Sequence, residues 1–181
     1  ANNNLLVDPG FEVNTAGWPA RGTGVTLARP NLHKSAGISA LQINTGAVNG
    51  SGAQDATFSS ALQSTTQYTL SFYARVDSAS SSFATLQAGR ADNGTALTTC
   101  VLNSNTVVNS GWTRYSCTFT TATVSGSPTI YIGQSDATSR TFYIDSVQLQ
   151  TGSNITPYQI GGIQLRGVIT IPVSINPGYN S

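Results

Sequence analysis

Seven carboxylates and one histidine make up the acid–base inventory of this chain. Glu12 is the only glutamate, and the aspartates are Asp8, Asp55, Asp77, Asp92, Asp136 and Asp145. Breaking a glycosidic bond takes two carboxylates facing one bond, one of them in an apolar setting. Most of these acids lie beside turn residues instead, where a carboxylate caps a turn or accepts from the backbone. His33, next to Lys34, has the chemistry of a base, but no G-x-S-x-G-like elbow accompanies it, and it reads as an exposed loop residue. Cys100 and Cys117 lack both the CxxC spacing and a nearby histidine that a redox or metal role would want. A bridge between them would close a loop of roughly 17 residues and stabilise the fold by about 3 kcal/mol. The inventory points away from an enzyme.

Contact chemistry has better material, and strand parity arranges it. Short β-rich runs recur between turn residues, and none shows a convincing helical period. The clearest is Tyr68–Val76, in which Tyr68, Leu70, Phe72, Ala74 and Val76 alternate with Thr69, Ser71, Tyr73 and Arg75. Further strands are expected at Leu5–Val7, Val25–Ala28, Ala40–Ile43, Ala84–Gln87, Thr98–Leu102, Trp112–Thr120, Thr129–Ile132 and Phe142–Leu149. With Leu70, Phe72 and Ala74 pointing inward, Tyr73 and Arg75 point outward; the same logic turns out Gln87, Tyr131 and Tyr143. If their strands are neighbours in a concave sheet, these five make a tyrosine-lined, hydrogen-bonding groove. Tyrosines also stabilise exposed sheet faces through cross-strand pairs, with no ligand involved.

The chain of 181 residues suits one domain, and 39% hydrophobic content marks it as globular. Only 8% of residues are charged and the formal net charge is +1, with no Lys/Arg cluster, which argues against nucleic acid or an anionic membrane as partner. No run of 18 apolar residues is present that could insert in a membrane. There is no methionine, and the start Ala1-Asn2-Asn3 resembles the product of a signal-peptidase cut. An even pair of cysteines suits an oxidising compartment. A secreted protein is expected, extracellular or at a cell surface. Asn49, Asn93 and Asn154 fall in N-glycosylation patterns, which arise by chance in a chain this rich in Asn, Ser and Thr.

Four segments, in order, resemble the carbohydrate-binding module superfamily that includes families 4, 9, 16 and 22. They are Asn4–Glu12 followed by Gly17-Trp18, Gln67–Arg75, Gly111–Phe119 and Phe142–Leu149. The resemblance implies an all-β jelly-roll sandwich of two antiparallel sheets, one of them concave, over roughly residues 1–150. It places Trp18 and Trp112 in the core. It also implies a structural calcium ion joining Glu12 to Asp145, with main-chain carbonyls near Lys34–Gly37 completing the shell.

Beyond residue 150 the resemblance ends. A linker, Thr151–Pro157, leads to a run in which Ile163 and Leu165 alternate, then Ile169, Ile171, Val173 and Ile175. This reads as an extra C-terminal strand with one apolar face, and Pro172 makes it an edge or a bulged strand. A lone apolar strand must be covered by something. The expectation drawn from it is a structural subunit that donates this strand to neighbouring copies of itself and polymerises into a fibre or surface layer. The competing expectation is a polysaccharide-binding module using Tyr73, Arg75, Gln87, Tyr131 and Tyr143.

Overall fold

The computed structural model describes residues 4–94 and 97–159, and among them ten strands and no helix occur. In chain order they are β1 (Ala20–Arg21), β2 (Thr26–Ala28), β3 (Leu41–Asn44), β4 (Gly52–Asp55), β5 (Gln67–Arg75), β6 (Leu86–Ala91), β7 (Thr98–Cys100), β8 (Thr113–Thr120), β9 (Thr129–Gln134) and β10 (Thr141–Thr151). They form two five-stranded antiparallel sheets, ordered β1-β4-β9-β6-β7 and β2-β3-β10-β5-β8. This is the jelly-roll sandwich that the resemblance implies.

Alternation builds the core. Leu70, Phe72 and Ala74 of β5 meet Ile130 and Ile132 of β9, Leu86 and Ala88 of β6, and Phe142 and Ile144 of β10 in one buried cluster. Each large apolar side chain withdrawn from water there contributes about 1.5–3 kcal/mol. Trp18 belongs to this cluster and packs edge-on against Phe11, ring centroids 5.5 Å apart. Trp112 does not: it immediately precedes the edge strand β8, is only half-buried and lies outside the cluster. Leu5–Val7, expected as an opening strand, makes a single bridge, Leu6 to Phe58.

The Cys100–Cys117 disulfide forms, with Cα atoms 5.8 Å apart. Its strands are consecutive in the chain but not partners in a sheet. Cys100 ends β7, an edge of one sheet, and Cys117 lies on β8, an edge of the other, so the bridge crosses between sheets. After β10 the chain turns back, and residues 153–159 run over the outer face of the β2-β3-β10-β5-β8 sheet. Thr156 holds them there, its hydroxyl accepting from the side-chain amides of Gln148 (3.0 Å) and Gln150 (2.8 Å). The Gln159 amide donates to Gln148 Oε1 at 2.6 Å. The apolar run with Ile163, Leu165, Ile169, Ile171, Val173 and Ile175 lies outside the described residues.

Candidate functional site

The five side chains turned outward by parity do not share one surface. Tyr73 and Arg75 on β5 and Tyr143 on β10 belong to one sheet, whereas Gln87 on β6 and Tyr131 on β9 belong to the other. A single groove of all five is therefore excluded by topology. Parity fixes which side of its own sheet a residue takes, but not which of two sheets it joins.

On the face carrying Tyr73, Arg75 and Tyr143, Tyr73 and Arg75 are half-buried and the strip along β10 is covered. Tyr143 is only 5% exposed. Its hydroxyl donates to Asp77 Oδ2 at 3.2 Å, and its ring meets the His33 ring edge-on at 4.6 Å. His33 in turn pairs through Nε2 with Asp77 Oδ1 at 2.6 Å, so it is a half-buried member of a packed triplet and not the exposed loop residue expected. Hydrogen bonding to His33 is the main cause that lowers the Asp77 pKa. Arg114 lies 5.7 Å from the Tyr73 ring and donates to Ser71 and to the Thr156 carbonyl of the returning segment. Thr69, Ser71, Gln148 and Gln150 on this face are all buried.

The outer face of the β1-β4-β9-β6-β7 sheet is organised differently. Register lines up Arg21, Gly52, Gly133 and Gln87 in one row across β1, β4, β9 and β6. The adjacent row is Gln54, Tyr131, Gly89 and Thr99 across β4, β9, β6 and β7. Two glycines thus separate Arg21 from Gln87, leaving a shallow trough about 14 Å across at ordinary strand spacing. The glycines are required by close approach: a Cβ on Gly52 would stand 2.1 Å from the Ile132 carbonyl oxygen, and one on Gly133 2.3 Å from that of Ser51. At Gly89 a Cβ would fall 2.2 Å from Tyr131 Cε1, so the tyrosine ring lies down over that glycine. The Arg21 guanidinium sits 4.9 Å from the centre of the same ring. Burial, the largest cause, raises the Tyr131 pKa, with the Thr99 side chain hydrogen-bonding and Arg21 opposing the shift. The hydroxyl is therefore neutral at physiological pH and remains a donor. Gln87 donates one amide hydrogen to the Gln134 carbonyl at 2.9 Å, which sets its rotamer.

Of the residues expected to bind, Gln87 and Tyr131 stand on this face. Arg21, Gln54 and Thr99 were not anticipated. Their strands β1 and β4 are short and built from Ala-Arg and Gly-Ala-Gln-Asp, without the β-branched or aromatic residues by which strands are recognised. The available signal was the glycine itself, which in a strand marks close backbone approach.

None of the acids points onto the trough. Asp8 accepts from the amides of Glu12, Val13 and Asn14, Asp136 holds Arg140 through both oxygens, and Asp92 pairs with Arg90. Asp55 is wholly buried on the inner side of β4; burial raises its pKa to about 7, against partial relief from the Thr57 amide, which donates to Oδ1 at 2.6 Å.

Glu12 and Asp145 do converge, at the 34–39 loop. Asp145 precedes a β-bulge at Ser146 (φ 52°) that offsets β10 against β5. Its Oδ2 accepts from the amides of Ser35 (2.6 Å) and Ala36 (3.0 Å), while Glu12 accepts from those of Ile38 and Ser39. Burial first, with a contribution from the Glu12 charge, raises the Asp145 pKa to about 6. Two hard carboxylates repelling each other in a shielded site fit a calcium ion in charge and donor type. The loop meets them with amide N–H groups and not with the carbonyls expected to complete a calcium shell, so the carboxylates hold its conformation directly.

This outer face of the jelly-roll sandwich is polar, with half-buried Arg21, Gln54 and Gln87 around a Tyr131 that is only 4% exposed. The model of the Carbohydrate binding domain family matches residues 3–143, and the chain belongs to that family. Among solved structures it is similar to the C-terminal family 22 carbohydrate binding module of Clostridium thermocellum Xyn10B (TM-score 0.67, 19% identity, 86% of this chain and 99% of that one). It is also similar to the CBM22-1 xylan-binding domain of Paenibacillus barcinonensis Xyn10C (TM-score 0.65, 19% identity, 83% and 96%). A third likeness, to arabinose-bound MgGH51 α-L-arabinofuranosidase, covers 83% of this chain but 26% of that one (TM-score 0.64, 19% identity). At these identities the likeness carries the fold. No curated protein sequence matches the chain.

Proposed function

We propose that the protein binds a polysaccharide across the outer face of the β1-β4-β9-β6-β7 sheet and does no chemistry on it. The observation that carries this is the trough itself: Arg21, Gln54, Gln87 and Tyr131 offer donors and acceptors around a glycine floor that no carboxylate enters. Membership of the Carbohydrate binding domain family supports the ligand class, and the xylan-binding structures that share the fold make xylan the first polymer to try. Such a ligand suits an extracellular protein, as does the disulfide. The test is a polysaccharide-retardation gel containing xylan, run with the wild type, Gln54→Ala, Tyr131→Ala and Tyr73→Ala. Retention lost in the first two variants and kept in the third is expected. Loss in Tyr73→Ala alone would place the site on the opposite sheet and refute the assignment.

The calcium ion between Glu12 and Asp145 belongs to the same proposal. Its role would be to tie the N-terminal segment to β10 beside the 34–39 loop. A second reading, self-assembly through residues 163–175, is favoured by the period-two alternation of Ile169, Ile171, Val173 and Ile175 alone. Deleting residues 161–181 and measuring the assembly state by size exclusion tests it, and an unchanged state would defeat it.

A further inference from the structure

Among the described residues, the arginines are nearly all provided with acceptors. Arg29 donates to the Phe11 and Glu12 carbonyls, Arg75 to that of Val76, and Arg114 to Ser71 and Thr156. Arg90 pairs with Asp92 and Arg140 with Asp136. Arg21 differs from all five. Among the described residues no protein acceptor or carboxylate pairs with any of its nitrogens, whereas Arg90 and Arg114, whose Nε atoms are likewise shut off from solvent without a hydrogen-bond partner, have the Asp92 ion pair and the Ser71 and Thr156 acceptors respectively. A guanidinium has donors only, so a half-buried one that no protein acceptor serves lacks an acceptor.

Its surroundings indicate which acceptor. Arg21 carries the only formal charge among the outward positions of the five strands, which otherwise present Gly52, Gln54, Gln87, Gly89, Ala91, Thr99, Thr129, Tyr131 and Gly133. The Tyr131 ring beneath it holds the guanidinium in place without consuming its N–H groups. A planar fork of free donors, positioned beforehand on an otherwise neutral surface, matches a carboxylate better than it matches a hydroxyl. From this geometry we infer that the trough prefers a polysaccharide bearing uronic acid residues, with the uronate carboxylate bound by Arg21. The inference rests on the reading of this face as a polysaccharide site.

Affinity electrophoresis with three forms of one polymer tests it: a uronic-acid-substituted xylan, the same xylan after carboxyl reduction, and a sulfated derivative of the reduced form. At low salt the wild type should bind the uronate polymer roughly five- to tenfold more tightly than the reduced one, as one charge-assisted contact at a partly exposed site provides. That ratio should shrink as salt rises. Arg21→Gln should bring the ratio close to one, and Arg21→Lys, which keeps the charge but loses the fork, should retain only part of it. Circular dichroism and melting of both variants establish that the fold is kept, and the salt series on the wild type stands without them. Equal binding of the two xylans, or a preference surviving in Arg21→Gln, overturns the uronate inference while leaving the polysaccharide site standing. A sulfated polymer held more tightly than the uronate one overturns the carboxylate assignment. No retention of any of the three refutes the site itself.

Discussion

Moving the pH from about 4.5 to about 7.5 should loosen this fold by about 3 kcal/mol through Asp55 alone. The side chain is fully buried, its Oδ2 has no partner, and burial lifts its pKa to about 7 from the usual 3.8. Because the folded pKa lies above the unfolded one, the folded state holds the extra proton between those limits. The stabilising contribution is complete below the unfolded value and is lost as pH rises through the folded value. Asp145, raised to about 6, adds a loss of the same sign. The informative comparison is therefore wild type against Asp55→Asn, which keeps an acceptor for the Thr57 amide but cannot ionise. Urea unfolding with the disulfide intact and a chelator present, across that pH range, reads the difference directly. For a domain of this size it corresponds to a shift in melting temperature of about 6–12 °C. A wild-type-minus-variant difference that stays constant with pH to within about 0.5 kcal/mol would refute the reasoning, for it would mean that Asp55 titrates alike folded and unfolded.

Calcium should raise the melting temperature of the wild type over that in EDTA, and Glu12→Gln or Asp145→Asn should abolish the increment in a thermal-shift assay; no increment in the wild type would remove the ion from the proposal. Reducing the Cys100–Cys117 bridge should cost about 3 kcal/mol in denaturant melts, as closure of a 17-residue separation predicts. Gly133→Ala should destabilise by about 1–3 kcal/mol, since its Cβ would meet the Ser51 carbonyl on the neighbouring strand, and chemical denaturation reports this. A loss no larger than that of an exposed alanine substitution would show that the strands separate freely there.

The fold was legible where alternation was strong. Tyr68–Val76 was placed within a residue of β5, and Trp112–Thr120 within one of β8, because apolar residues at every second position leave no other way to bury one face. The proposed trough was half legible. Parity turns Gln87 and Tyr131 outward on strands with clear apolar partners, and both stand on its face. Arg21 and Gln54 stood on strands too short and too glycine-rich to announce themselves, because their conformation comes from neighbours and not from their own preferences. The assignment of Tyr73, Arg75 and Tyr143 to the same groove failed for a separate reason. Whether a strand joins the upper or the lower sheet is decided by long-range connection, and the roof formed by residues 153–159 depends on Thr156 and Gln159 meeting Gln148 across a chain reversal.

The crosslink between the two sheets has a mechanical consequence. It fastens β7 to β8, so one flank of the sandwich is clasped shut by a covalent bond while the flank bearing β1 and β2 is not. Any splaying of the layers must hinge at the clasp and be widest at the far flank, where Arg21 stands. Breathing of the sandwich is thus concentrated at the rim where Arg21 stands, and a polysaccharide lying from β1 to β6, strands of one sheet, would stiffen that sheet without closing it onto the other.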